Sequence, residues 1–351
     1  MAVSFAVTVS FMIALRPLAA RNGFVDRPGG RKRHGAEVPV IGGIAMFAGL
    51  FAGLLLADVS AESFLSLLAA STLLVVIGLI DDRYELPVLA RLASQFAATL
   101  IMVYGAGLAL QDIGDPFGTG TVGMGSFTLI FTLLVTITMV NAFNFVDGAD
   151  GLAGTLAFIA MGAVAIVAGP DHPATAPALI VAAATVGYLV FNLPIYINRK
   201  LRSFMGDAGS TLLGFSIVWV TLGVSQGDAQ VISPVHCLWF AAIPIFDFMT
   251  CFVRRIMNRR SPFHAGRDHF HHVLMRGGFT ARQALALLSG FQFAYAVAGI
   301  AGHFTGVADQ WMFIAWAVIG VTQRNVLTRI STIRRGARIR ERARARVLAK
   351  A

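Results

Sequence analysis

Oxygen-bearing and basic side chains crowd four short stretches of a chain that is otherwise apolar. Asp81-Asp82-Arg83-Tyr84-Glu85 sets two carboxylates side by side, and Asn141, Asn144, Asp147 and Asp150 recur at every third residue. Asp207 stands among small residues in Gly206-Asp207-Ala208-Gly209-Ser210, and His264, Arg267, His269, His271 and His272 fall within 264–272. Of two adjacent carboxylates, one holds its proton more tightly, which suits proton abstraction or metal association; a solvated helix end explains Asp81 and Asp82 equally simply. On a helical turn Asn144, Asp147 and Asp150 share one face. Hard oxygen ligands without thiols suit Mg2+, with Mn2+ as a substitute. The alternative is a cap and turn, for which Gly148 and Gly151 supply the backbone freedom. Asp207 is either a helix N-cap or a second metal ligand, beside helix N–H groups turned toward phosphate.

The histidine stretch admits three readings: zinc, an ordinary loop, or anion binding. With carboxylates of the Mg2+ type elsewhere and no cysteine alongside, phosphate recognition by His269, His271, His272, Arg254, Arg255 and Arg267 fits best. Lys32 and Arg33 lie in a basic first loop that runs from Arg21 to His34. Topology or a polyanionic substrate accounts for that charge. Gly42-Gly43 opens the next apolar run and lets another backbone approach.

These motifs have to be positioned by membrane helices. The chain is 56% hydrophobic and 13% charged, with mean hydropathy +0.73 over 351 residues. A soluble protein carries roughly twice that charged fraction. Apolar runs fall at 1–20, 38–57, 63–80, 88–109, 126–143, 151–169, 175–196, 209–226, 230–252, 283–304 and 308–328. The first lacks a basic start and a cleavage site, so it reads as a helix and not a signal peptide. The expected fold is an all-α polytopic membrane protein of about eleven spans, ten at the fewest. If the spans alternate, all 28 Lys and Arg fall on one side. The other side carries Asp58, Glu62, Asp112, Asp115, Asp171, Asp228 and Asp309. The positive-inside rule then puts the N-terminus outside and the C-terminus in the cytoplasm, with all four motifs in a cleft on the cytoplasmic face.

Residues 1–330 read as one integral domain and 331–351 as a basic tail drawn to anionic lipid. The tail lacks the aromatic interleaving of a nucleic-acid binder. Cys237 and Cys251 share one expected helix and imply neither a disulfide nor a thiolate site. A transporter would concentrate ionisable groups near the bilayer midplane, whereas here they gather at one face.

The motifs in their order resemble those of the polyprenyl-phosphate N-acetylhexosamine-1-phosphate transferases, most closely the bacterial WecA type. The resemblance runs from about Gly23 to Gln283. It rests on Val25-Asp-Arg-Pro28 with Arg31-Lys-Arg-His34, Asp81 to Glu85, Asn141 to Leu152, Phe204 to Thr211, and Ser261-Pro-Phe263 followed by His269 to His272. It implies ten or eleven helices in a bacterial cytoplasmic (inner) membrane. It also implies transfer of a sugar-1-phosphate from UDP-GlcNAc to undecaprenyl phosphate, with release of UMP, at the start of a cell-envelope polysaccharide. Implied partners are those two substrates and membrane lipids, with a homodimer left open and no nucleic acid. On the resemblance, Asn144 and Asp207 are the Mg2+ ligands. Asp81 and Asp82 activate the lipid phosphate, Asp147 and Asp150 form the nucleotide-side acidic motif, and Arg91, Arg255 and His269 meet the diphosphate. Glu85 replaces an Asp usual in the family. His-Phe-His-His replaces three consecutive histidines and argues for a simple N-acetylhexosamine donor.

Overall fold

A computed structural model of the chain describes residues 1–26, 37–193, 201–259 and 269–348, with side chains as far as Ile339. Lys32, Arg33, His264 and Arg267 lie outside the described residues. Each apolar run forms a helix: α1 (Ala2–Arg21), α2 (Gly42–Leu55), α3 (Ala61–Tyr84), α4 (Val88–Ala106), α5 (Thr128–Val146), α6 (Leu152–Ala168), α7 (Thr175–Asn192) and α8 (Gly206–Ser225). The run at 230–252 is composite: a short α9 (Pro234–Cys237), a 3-10 turn, then α10 (Ala242–Met257). A short α11 (Phe270–Arg276) precedes α12 (Ala281–Phe304) and α13 (Asp309–Leu348).

Eight of the described helical segments are long and apolar enough to cross a membrane, and α2 and α6 are shorter apolar helices. The outward faces of α1, α4 and α12 expose Phe11, Ile13, Phe96 and Phe293. Apolar surface on that scale belongs against lipid. This is an all-α, multi-pass membrane protein.

Helix α8 is the hub. Of its apolar window 83% is buried, against 22% for α1. Small residues let its neighbours approach to backbone distance, the usual basis of helix packing without a hydrophobic drive. A Cβ on Gly78 of α3 would sit 2.4 Å from the Ala208 Cα, and one on Gly43 of α2 would sit 2.4 Å from the Gly209 N. On the other side, a Cβ on Gly214 would lie 2.7 Å from the Val140 Cα of α5. The N-terminus of α8 is thereby gripped between α2, α3 and α5.

A two-residue hairpin, β1 (Val25–Asp26) with β2 (Val38–Pro39), joins the first loop to this point. Phe204 N–H donates to Pro39 O at 2.8 Å, and Gly42 and Gly43 N–H donate to Phe204 O and Met205 O, both at 2.9 Å. The Gly42-Gly43 pair does admit another backbone, that of the segment entering α8.

The opposite end is latched by polar side chains. Gln226 Oε1 accepts the Gln111 N–H at 2.7 Å, and Asp309 Oδ2 accepts from Ser233 Oγ and the Asp115 N–H. Helix α13 runs unbroken past residue 330. Its Ser331 hydroxyl donates to Val273 O at 2.6 Å, so the start of the basic tail braces α11.

Candidate active site

The acidic pair sits inside the last turn of α3, not beyond it. Asp82 Oδ1 accepts the Asp207 N–H at 2.8 Å and Oδ2 the Ala208 N–H at 3.4 Å. A carboxylate at a helix N-terminus satisfies orphan donors and meets the positive end of the dipole. Asp82 therefore caps α8 from another helix, whereas Met205 at the N-cap position makes no side-chain cap bond. This corrects the expectation for α8. Asp207 is not its N-cap, and the Asp207 and Ala208 N–H groups are turned to a carboxylate, not left for phosphate. Gly206 is required here: its φ is +73°, and a Cβ would lie 2.4 Å from Asp82 Oδ2.

Asp81 is buried. Its Oδ1 accepts the Leu86 N–H at 2.6 Å, and its Oδ2 lies 3.4 Å from Arg91 Nη1. Asn144 Nδ2 donates to Asp207 Oδ1 and also reaches Ser210 Oγ at 3.2 Å. Its carbonyl oxygen is left as a potential ligand. Asn141 Nδ2 donates to Gln95 Oε1 at 3.0 Å, tying α5 to α4.

The regular spacing of Asn144, Asp147 and Asp150 does not make one helical face. Helix α5 ends at Val146, with Asp147 at its C-cap and Asp150 in the following turn. Asp150 is turned instead to Arg202, 2.5 Å away, while Asn192 Oδ1 accepts the Gly151 N–H at 2.6 Å and shapes the turn. The carboxylates still converge. Burial, followed by the charges of Asp207, Asp82 and Asp150, holds the Asp147 carboxyl well above the usual carboxylate range. A set of hard oxygen donors that repel one another is relieved by a hard divalent cation. By the chemistry of its donors the set suits a hard divalent cation.

Two cavities open here. A cleft of about 1300 Å³ is lined by Asp26, Asp82, Asp147, Asp150, Asn192 and Arg202, among others. A smaller one of about 300 Å³ lies between α4, α5, α10 and α11, with Arg91, Asn141, Asn144, Arg255, His269 and His271 on its walls beside the apolar Val88, Leu92 and Phe145. Asp147, Gly148 and His272 line both. Arg254 lines neither, one position round the helix from the buried Arg255.

The histidines differ sharply in environment. His269 Nδ1 lies 2.9 Å from Asp247 Oδ2, and Asp247 Oδ1 accepts the Phe270 N–H at 2.8 Å. Burial alone would lower the pKa of His269, but the bond to Asp247 and the nearby Cys251 carry it up to about 10. His271 is pushed well below the usual value by burial, then by His272 and His269. Its ring packs on Gly148, where a Cβ would meet Nε2 at 2.4 Å.

A cysteine does accompany the histidines, contrary to the reading of the linear sequence: Cys251 Sγ is 3.5 Å from His269 Nδ1. Asp247, Cys251 and His269 bring their potential ligand atoms within 4.8 Å of one another. Both partners address the one ring nitrogen, as a hydrogen-bonded group would, and a thiol is a poor partner for Mg2+.

Asp247, Arg202, Asn192 and Gln95 were not singled out from the sequence. Asp247 carried a usable signal, an acid inside the apolar run 230–252, which is costly unless partnered. The charge of Arg202 was already explained by topology, and Asn192 and Gln95 look like ordinary polar residues near helix ends.

Comparison with known proteins shows the family to which the chain belongs. Residues 64–225 match the family model for glycosyl transferase family 4. The chain is 36% identical over 313 residues to an undecaprenyl-phosphate alpha-N-acetylglucosaminyl 1-phosphate transferase of Yersinia pestis, covering 89% of this chain and 86% of the relative. It is similar at 36% identity over 312 residues to the protein of the same description from Escherichia coli K12, covering 88% of this chain and 85% of the relative. A Haemophilus influenzae protein so described is also 36% identical, over 313 residues, covering 88% and 87% respectively.

Proposed function

The chain belongs to glycosyl transferase family 4, and from that premise we propose that it transfers N-acetylglucosamine-1-phosphate from UDP-GlcNAc to undecaprenyl phosphate, giving undecaprenyl-diphospho-GlcNAc and UMP. It is a phosphoglycosyltransferase. The observation that carries the reading is Asp147, buried where two cavities meet at one end of a helical bundle and under the charges of Asp207, Asp82 and Asp150.

The reacting phosphates belong at the junction of Asp147, Gly148 and His272. An oxygen of the lipid phosphate attacks the β-phosphorus of the donor. The new P–O bond forms as the bond to the bridging oxygen breaks, and UMP leaves. Asp82 lines the large cleft as well as capping α8. It takes the proton of the lipid phosphate. Asp81, buried against Leu86 and Arg91, orients the turn and Arg91. Arg255, His269 and Arg91 approach the junction from the small cavity, and their charge offsets that developing on the leaving group.

Asn144 and Asp207 would hold Mg2+ or Mn2+, through the Asn carbonyl oxygen and the carboxylate. Bound there, the ion supplies Lewis-acid charge to the diphosphate. The site end faces the cytoplasm of a bacterial inner membrane, which the helices cross eleven times with the N-terminus outside. The basic charge on that side supports this orientation.

The test is transfer from radiolabelled UDP-GlcNAc, compared with UDP-GalNAc and UDP-MurNAc-pentapeptide, to undecaprenyl phosphate by the detergent-purified protein with Mg2+. Labelled lipid and stoichiometric UMP from UDP-GlcNAc are expected. Labelled lipid from UDP-GalNAc alone would reassign the donor, and no labelled lipid from any donor would refute the reading.

A further inference from the structure

Helix α10 carries one acid, Asp247, in a helix otherwise apolar until its closing arginines. Its side chain is 1% exposed. An ionisable group in such a place is costly unless its partners are specific. Both its oxygens are committed, one to the Phe270 N–H at 2.8 Å and one to His269 Nδ1 at 2.9 Å. One carboxylate thus grips the backbone that starts α11 and the ring that precedes it. The ring is walled by Phe145, at 5.0 Å between centroids, which stacks in turn on Phe248. With Nδ1 engaged, Nε2 is the nitrogen left for the small cavity that His269 lines. Helix α11 has only seven residues. So short a helix has little stability of its own and takes its orientation from outside contacts.

We propose that Asp247 is a positioning residue for the transfer reaction, clamping His269 by Nδ1 so that Nε2–H is presented as a charged donor to the donor diphosphate at the cavity junction. The inference rests on the functional reading above, which puts that diphosphate there. A second-sphere carboxylate that fixes the tautomer and orientation of an imidazole is a general device of catalytic sites. The titratable and charged groups that face His269 are Asp247, Cys251 and Arg255 on α10, His271 and His272 on α11, Asp147 at the end of α5 and Arg91 across the cavity on α4. Of these, Asp247 is the carboxylate in direct contact with the ring. His271, held neutral by burial, adds no positive charge beside it. Removing the charge of Asp247 should therefore make His269 titrate within the working range of pH.

Asp247→Asn tests this without removing the cap, because an asparagine oxygen still accepts the Phe270 N–H. Wild-type kcat/KM for UDP-GlcNAc should vary little through His269 between pH 6 and 9. That of Asp247→Asn should fall about ten- to hundredfold below it, with the deficit widening as the pH rises and with the folded fraction unchanged by size-exclusion chromatography. In a His269→Gln background, Asp247→Asn should cost almost nothing more. An Asp247→Asn profile parallel to wild type, or an equal loss in the His269→Gln background, would make Asp247 only a structural cap and overturn the inference. If the wild-type protein itself transfers no GlcNAc-1-phosphate, the functional reading fails instead. In that case UDP-GlcNAc binding at pH 6 and 9 still decides whether Asp247 acts through His269.

Discussion

Replacing Asp82 separates two jobs that the structure gives to one carboxylate. As the cap of α8, Asp82 accepts the Asp207 and Ala208 N–H groups at 2.8 and 3.4 Å. Asp82→Asn keeps an acceptor oxygen for the shorter bond; it gives up the longer one and the charge facing the helix N-terminus, a charge worth about 0.3–1 kcal/mol. Against that loss, it removes one of the carboxylates whose charge bears on Asp147. The net change in stability should be small. Asp82→Ala loses the charge-assisted bonds outright, a cost of about 1.5–3 kcal/mol.

Turnover should behave differently. If Asp82 takes the proton of the lipid phosphate, both variants lose it alike, by about 10²–10⁴-fold. Thermal unfolding in detergent, read beside transfer of labelled GlcNAc-1-phosphate, gives both numbers. The expected result is an unfolding midpoint near wild type for Asp82→Asn, a clearly lower one for Asp82→Ala, and negligible activity in both. Half or more of wild-type turnover in Asp82→Asn would leave Asp82 as a cap alone. Equal midpoints for the two variants would refute the capping argument.

Other outcomes follow from the same geometry. Asp147 holds its proton more tightly in the folded protein than in an unfolded chain, so its ionised form costs stability above the folded pKa and none below the unfolded value. Asp147→Asn should therefore unfold at a higher temperature than wild type in chelator at pH 7.5, an advantage that Mg2+ should shrink; a lower midpoint in chelator would count against the carboxylate-cluster reading. His269 has the opposite sign. With a folded pKa of about 10, its stabilisation is full below the unfolded value and is lost as the pH climbs toward the folded one. The midpoint gap between wild type and His269→Gln should narrow over that window. Arg255→Ala and His269→Ala should weaken UDP-GlcNAc binding about ten- to hundredfold in calorimetry, whereas Asp82→Asn should not; the reverse pattern would exchange the roles of the two groups. Gly78→Ala should cost about 1–3 kcal/mol by overpacking, since its Cβ would press on the backbone of Ala208, and should slow transfer by prising α3 from α8.

Much was legible without coordinates. Each apolar run became a helix, because spanning length and hydropathy are local properties that packing cannot override in lipid. The residue types at the four motifs, taken in order, were enough to identify the family, and the relatives bear that out. Of the described segments, eight qualify as spans by length and hydropathy, against the eleven expected; α2 and α6 are short, and α13 is polar beyond its first half.

Only the tertiary structure decided how the polar groups divide their work. Spacing by three suggested a helical face through Asp150, but α5 stops at Val146, and Arg202, distant in sequence, takes Asp150. Asp207 looked like a cap by position, yet the cap comes from Asp82 on another helix. Cys251 looked inert and Asp247 was lost in an apolar run, until folding set both against His269. In each case the bond joins groups brought together by helix packing, which itself depends on glycines such as Gly43, Gly78 and Gly214 letting backbones meet. Local periodicity reports which face of a segment is buried; it carries no information on which distant donor or acceptor a buried polar group will find.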